Sequence, residues 1–171
     1  GNLIFGIKSN GLHSNGYSLI RRVINSQRIN LKAKPPYKTS EKSIGNDLLL
    51  PTKIYVKLLL PLAKKGLILT MAHITGGGLE DNLKRVIPDK FQAIIDIKDF
   101  TSPERFSWLS KIGNINSKEM LKTFNCGIGF VFIISEKNKN KILKYFESNR
   151  IELIKIGYIK KINSYKKVLI K

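Results

Sequence analysis

The sequence predicts a layered α/β fold in which apolar strands alternate with amphipathic helices. Three observations carry this reading. Short runs rich in β-branched and aromatic residues recur between segments whose apolar side chains repeat at helical spacing. Two polar, glycine-bearing turns, Gly11-Leu12-His13-Ser14-Asn15-Gly16 and His73-Ile74-Thr75-Gly76-Gly77-Gly78, each lie between an apolar run and a helix-like segment. Finally, 171 residues with 42% hydrophobic content fit one domain, residues 1–171, large enough to bury a core and too apolar for disorder.

Taken in order, Leu3-Ile4-Phe5-Gly6-Ile7 reads as a buried strand. After the first turn, Tyr17, Ile20, Val23 and Ile24 recur at helical spacing, with Arg21 and Arg22 on the polar side. Residues 30–47 are polar, contain Pro35-Pro36, Ser40, Ser43 and Gly45, and read as a surface excursion rather than a domain linker. Ile54, Leu58 and Leu62 repeat every four residues after Pro51, predicting a helix that Pro61 kinks or interrupts. Residues 68–72 form a second apolar strand, which runs into the Thr75–Gly78 turn and a helix over 79–86 ended by Pro88.

Residues 93–97 make a third strand, after which Ser102-Pro103-Glu104 offers an N-cap, a first-turn proline and a first-turn acid. That helix continues through Trp108 to Lys111 and stops at Gly113. Ser117 caps a short helix containing Met120 and Leu121, and residues 127–134 are a long β-rich run. Residues 137–146 read as a surface helix; 151–156 and 168–170 close the chain as strands.

Composition narrows the function classes. No apolar stretch approaches a membrane span, because Leu58–Leu62 is flanked by Lys57 and Lys64-Lys65. The first residues resemble a strand rather than a signal peptide, so a cytoplasmic location is expected. One cysteine, Cys126, excludes an intrachain disulfide. The formal charge of +19 suits a nucleic-acid-binding module, but the bases do not gather into one stripe, and lysine accompanies abundant Ile and Asn as in an AT-rich coding sequence. A solvated lysine surface that attracts small anions is the expected reading, without nucleic acid as a partner.

The two turns carry the chemistry. A strand that delivers the chain to a helix start leaves unpaired backbone N–H groups, and glycine lets a phosphate approach them closely. In the first turn His13, Ser14 and Asn15 can all hydrogen-bond a ligand; the alternative is that Ser14 or Asn15 caps the helix through the N–H of Tyr17 or Ser18 while His13 packs on the sheet. In the second, Gly76, Gly77 and Gly78 carry an entropic cost that capping by Thr75 would not require. A tight strand-to-helix crossing is the alternative there. No Gly-Lys-Ser/Thr follows, so this is not a Walker A loop, and the dinucleotide fingerprint does not fit either. Glu80 and Asp81 suit the helix dipole. With only His13, His73 and Cys126 available, neither a zinc site nor a nucleophilic triad is motivated, and no metal ligand is assigned. Cys126 reads as a buried small residue. Asn125, at a strand entrance, either faces a ligand or caps the preceding helix.

The motifs in order resemble the C-terminal domain of phosphoribosylformylglycinamidine cyclo-ligase, also called aminoimidazole ribonucleotide synthetase. They are Gly11–Leu19, Leu49-Leu50-Pro51-Thr52-Lys53-Ile54-Tyr55-Val56-Lys57, Ala72–Gly78, Arg85-Val86-Ile87-Pro88 and Lys122-Thr123-Phe124-Asn125-Cys126-Gly127-Ile128-Gly129. Gly113-Asn114 and Ile156-Gly157-Tyr158-Ile159 extend the resemblance across the chain. The departures are Asn10 where the family usually has a second serine, Leu58 where proline is frequent, and the lysine-rich surface.

The resemblance implies an α+β, layered architecture, a mixed β-sheet flanked by helices with partial ferredoxin-like topology. It implies an ATP-dependent ring closure of formylglycinamidine ribonucleotide to aminoimidazole ribonucleotide, ADP and phosphate, in purine biosynthesis. It further implies an N-terminal domain that binds ATP and Mg2+, is absent from residues 1–171, and forms much of a homodimer interface. On this reading the chain alone is inactive and holds no cofactor tightly. By motif, His13 is the catalytic candidate; Ser14, Asn15, Thr75, Gly76, Gly77, Gly78 and Asn125 are substrate- or phosphate-binding candidates. A regulatory domain that kept the phosphate turns and lost the chemistry is a further alternative.

Overall fold

The computed structural model describes residues 1–98, 100–162 and 166–171. The chain runs β1 (Asn2–Lys8), α1 (Tyr17–Ser26), α2 (Ile44–Leu48), α3 (Val56–Lys64), β2 (Thr70–His73), α4 (Gly78–Val86) and β3 (Phe91–Ile95). It continues through α5 (Glu104–Gly113), α6 (Ser117–Thr123), β4 (Ile128–Ser135), α7 (Lys139–Ser148), β5 (Leu153–Lys161) and β6 (Val168–Ile170). The strands form a six-stranded sheet in the order β2-β4-β1-β5-β3-β6. All neighbours are antiparallel except β3 and β6, so the sheet is mixed, as expected. Because β4 and β5 both run antiparallel to β1 and enclose it, β4–α7–β5 is a split β-α-β unit, the element shared with ferredoxin-like topologies.

β1 is central and buried on both faces, which explains why its sequence is continuously apolar rather than alternating. Leu3, Phe5 and Ile7 pack with Leu58, Leu59 and Leu62 of α3 and Ile142 and Phe146 of α7. Ile4, on the opposite face, joins Leu79 and Leu83 of α4, Ile95, Val131 and Ile156. Each such side chain contributes about 1.5–3 kcal/mol on full burial. A third cluster contains no strand residue: Leu12, Ile20, Val23, Ile24, Phe106, Leu109 and Phe124 gather α1, α5 and the turns.

Several local expectations change. Pro61 lies within α3 without interrupting it. Its missing N–H would have met the carbonyl of Lys57, and both residues are exposed. Ile54 lies before that helix and is 77% exposed, so it does not continue the buried repeat. The cap of α6 is Asn116, whose side chain accepts from the Glu119 N–H at 2.9 Å, and Ser117 is its first residue. Asn114, left-handed, ends α5 after Gly113. Ser102 does not cap α5; its hydroxyl donates to the Cys126 carbonyl at 2.7 Å.

The largest correction concerns residues 30–47. This segment is anchored rather than a mere excursion: Tyr37, Ile44 and Asp47 are buried. The Asp47 carboxylate accepts from Tyr37 Oη at 3.0 Å and Thr39 Oγ1 at 2.6 Å, and pairs with Arg105 at 3.1 Å.

Candidate active site

β1 and β2 both run antiparallel to β4 and lie on either side of it, so both glycine turns leave the sheet at one end. The start of β4 sits between them. The Ser9 N–H donates to the Gly127 carbonyl at 2.8 Å and the Ile74 N–H to the Gly129 carbonyl at 3.0 Å, fixing both turns to one short segment.

His13 is 3% exposed and sits in the left-handed region at φ 53. Its ring lies 5.8 Å from His73 and 5.9 Å from Tyr55, centroid to centroid, and Tyr55 lies 5.8 Å from His73. Gly129 makes the room. A Cβ there would overlap the Tyr55 hydroxyl and lie 2.6 Å from His13 Cε1. The Tyr55 hydroxyl donates to the Lys8 carbonyl at 3.3 Å, and the Lys53 ammonium stands 5.7 Å over the Tyr55 ring. Sequence reasoning did not place Tyr55 or His73 in the site; a glycine within the β-rich run of residues 127–134 was the signal, since it marks close approach.

Burial lowers the pKa of His13 to about 4, helped by the neighbouring His73, Lys53 and Arg105. Burial also lowers that of His73. Both imidazoles are therefore neutral near pH 7. His13 Nε2 is 2.7 Å from Asn10 Oδ1, whereas His13 Nδ1 and His73 Nε2 are buried without a hydrogen-bond partner. The unfolded chain takes a proton at His13 near 6.5, and the native state resists it until about 4. Stability from this group is thus present above 6.5 and lost as pH falls towards 4. Urea midpoints measured from pH 7 to 4 are expected to fall more steeply for this chain than for a His13→Gln variant; equal slopes would refute the shift.

Neither Ser14 nor Asn15 caps α1. The N-cap of α1 is left-handed Gly16 and that of α4 is left-handed Gly77; neither helix has a side-chain cap. Asn15 Nδ2 donates instead to the carbonyls of His13 at 2.8 Å and Leu12 at 3.4 Å, and Ser14 is exposed at φ 58. Thr75 Oγ1 donates to Asn82 Oδ1 at 3.1 Å. Asn82, absent from the sequence-based candidates, donates from Nδ2 to the carbonyls of Thr75, Gly76 and Gly78, tying the loop to the second turn of α4.

The three glycines differ. A Cβ on Gly78 would overlap the Leu121 carbonyl oxygen, so the α4–α6 crossing requires this glycine. Gly77 needs φ 96, and a Cβ would lie 2.8 Å from Asp81 Cβ. Nothing lies within 4 Å of a Cβ on Gly76, so the fold does not demand it and its face is open. Gly78→Ala is expected to lose roughly 1–3 kcal/mol or more, and Gly76→Ala to stay within about 1 kcal/mol of the parent, in urea unfolding. A neutral Gly78→Ala would contradict the crossing.

Asn125 spends its side chain on the protein itself. It is 1% exposed, its Nδ2 donates to the Gly11 carbonyl at 2.9 Å, and its Oδ1 accepts from Ser9 Oγ at 2.9 Å and the Gly127 N–H at 2.8 Å. It therefore ties the first turn to the approach to β4. Burial raises the Cys126 thiol to about 12, which keeps it protonated and unreactive. A cleft of about 580 Å³ between α4 and α6 adjoins Gly77 but contains neither histidine.

Residues 1–168 match the family model described as AIR synthase related protein, C-terminal domain. The chain belongs to this family. The trifunctional purine biosynthetic protein adenosine-3 of Gallus gallus is 42% identical over 144 residues, covering 84% of this chain and 14% of that protein. The bifunctional purine biosynthetic protein PUR2,5 of Pichia angusta is 42% identical over 157 residues, covering 92% and 20%. The human adenosine-3 protein is 38% identical over 159 residues, covering 93% and 16%. This AIR synthase related C-terminal domain therefore spans a fifth or less of these curated relatives, all of them purine biosynthetic proteins. The resemblance inferred from the turns and the Pro51–Tyr55 motif is met.

The fold is shared more widely. Thiamine-monophosphate kinase from Stenotrophomonas maltophilia K279a superposes with a TM-score of 0.60 at 17% identity, over 99% of this chain and 50% of that one. The hydrogenase maturation protein HypE gives 0.60 at 15% identity, over 99% and 49%. Among the described residues no helix is long and apolar enough to cross a membrane.

Proposed function

We propose that this chain is the substrate-binding C-terminal half of an ATP-dependent cyclo-ligase converting formylglycinamidine ribonucleotide to aminoimidazole ribonucleotide, with ADP and phosphate. The observation that carries this reading is the convergence of two helix starts without side-chain caps and two neutral histidines at one sheet end. The amides at Gly16–Ser18 and at Gly76 and Gly77 suit a phosphate or a developing negative charge, and Lys53, over the Tyr55 ring, adds a cation to the same end of the sheet. His13, neutral and between the two turns, is the residue proposed to take the proton that the ring-closing nitrogen must release. On this reading Ser14 and Asn15 bind substrate, while Asn125 and Asn82 hold the two turns.

ATP and its magnesium belong to another part of the complete protein on this reading. Among the described residues no three His, Cys, Asp or Glu side chains gather as metal ligands, and buried Asp47 is paired with Arg105. These residues do not fit a metal. Leu49, Ile54 and Val56 are 70%, 77% and 62% exposed beside the site, an apolar surface suited to cover by an N-terminal, ATP-handling domain of a cytoplasmic homodimer. Titrating the 15N-labelled chain with formylglycinamidine ribonucleotide tests the reading. Amide shifts concentrated at residues 14–18 and 75–79 are expected; shifts confined to distant lysines would refute it and favour non-specific anion binding.

A further inference from the structure

The first turn carries a polar chain that ring closure alone does not explain. Asp47 is fully buried and pairs with Arg105 Nη2 at 3.1 Å, while Arg105 Nη1 donates to the Asn10 carbonyl at 3.0 Å. Tyr37 and Thr39 hold the other sides of the carboxylate. Asn10 Nδ2 donates to the Pro51 carbonyl at 3.0 Å. That bond fixes the amide orientation, because a carbonyl can only accept. Asn10 Oδ1 must then face His13 Nε2, at 2.7 Å, and an oxygen in that position requires a proton on the nitrogen. The Lys53 backbone N–H also points at this nitrogen, with the two nitrogens 3.5 Å apart, but the 2.7 Å contact with Asn10 is much the shorter of the two.

We propose that Asn10, held through its carbonyl by the Arg105–Asp47 pair, is the positioning residue that holds His13 as its Nε2–H tautomer and leaves Nδ1 as the bare nitrogen, buried against Gly129. Position and tautomer are set together. Asn10 orients the ring from one edge, and Gly129 lets the opposite edge lie against the start of β4 with Nδ1 turned inward. The groups that bear on the ring's charge are His73, Lys53 and Arg105, and none is an anion, so nothing beside the ring favours the imidazolium. Its significance for proton transfer rests on the proposed cyclo-ligase reading; the tautomer itself does not.

The test is the imidazole 15N–1H correlation spectrum of the 15N-labelled chain at pH 7, which holds only two histidines. His73→Gln assigns the His13 signals. The protonated nitrogen of His13 is expected to be Nε2. Asn10→Ala is expected to shift the population towards the Nδ1–H form, and Asn10→Asp, which keeps the acceptor, to retain Nε2–H and raise the His13 pKa. A wild-type spectrum with the proton on Nδ1 overturns the proposal even if no variant folds, as does an unchanged tautomer in Asn10→Ala. Because the spectrum needs no substrate, a correct tautomer with no ribonucleotide binding would leave this proposal standing and remove only the functional reading.

Discussion

His13→Ala, introduced into a protein that joins this chain to its ATP-handling half, is expected to lower turnover by about 10²–10⁴-fold, the range for losing a positioned general base. Stability should change far less. His13 is buried, but its Nδ1 makes no hydrogen bond, so truncation removes packing against Tyr55 and His73 and one bond to Asn10. The bond is worth about 0.5–1.5 kcal/mol. Steady-state phosphate release and thermal unfolding, measured on the same preparation, separate the two roles. Unchanged kinetics with a lowered melting temperature would return His13 to packing alone.

Asp47→Ala is expected to give the largest loss of stability, about 3–5 kcal/mol, because it strands the partly buried Arg105 guanidinium. Tyr37 would lose its acceptor too, and the high pKa that burial and Asp47 impose on its hydroxyl would fall. The corresponding drop in Tm is roughly 6–20 °C for a chain of this size. Asp47→Asn keeps the size and one acceptor oxygen and should lose less. Thermal unfolding of both variants checks this; a drop of under about 2 °C for Asp47→Ala would contradict the anchoring role.

The sheet and most helices were legible because their apolar residues follow a single period: β1 is continuous, and α1 buries Ile20, Val23 and Ile24 as its spacing predicts. Both glycine turns were legible for the same local reason. What stayed hidden depends on contacts distant in sequence. Residues 30–47 are polar, and only Arg105, 58 positions beyond Asp47, shows why that carboxylate is buried. Tyr55 joins the site through Gly129, across the sheet from its own segment. Asn82 looks like an ordinary polar helix residue until its three carbonyl partners are seen. Ser117 and Gly113 were each one position from the residue that ends or caps the helix, because Asn serves as well as Ser or Gly at those sites.

The triple glycine joins two explanations that sequence could only oppose. Gly78 satisfies the helix crossing, Gly77 the left-handed N-cap, and Gly76 leaves an open face. The turn is thus partly structural and still suited to an anion.

Phosphate release from ATP and formylglycinamidine ribonucleotide tests the central claim most directly, measured for this chain alone and for a longer protein that includes the ATP-handling half. The proposed division of labour predicts ribonucleotide-dependent release from the longer protein, abolished or strongly reduced by His13→Ala, and none from the isolated chain. Comparable turnover by the chain alone, or ribonucleotide-dependent turnover indifferent to His13, would contradict it.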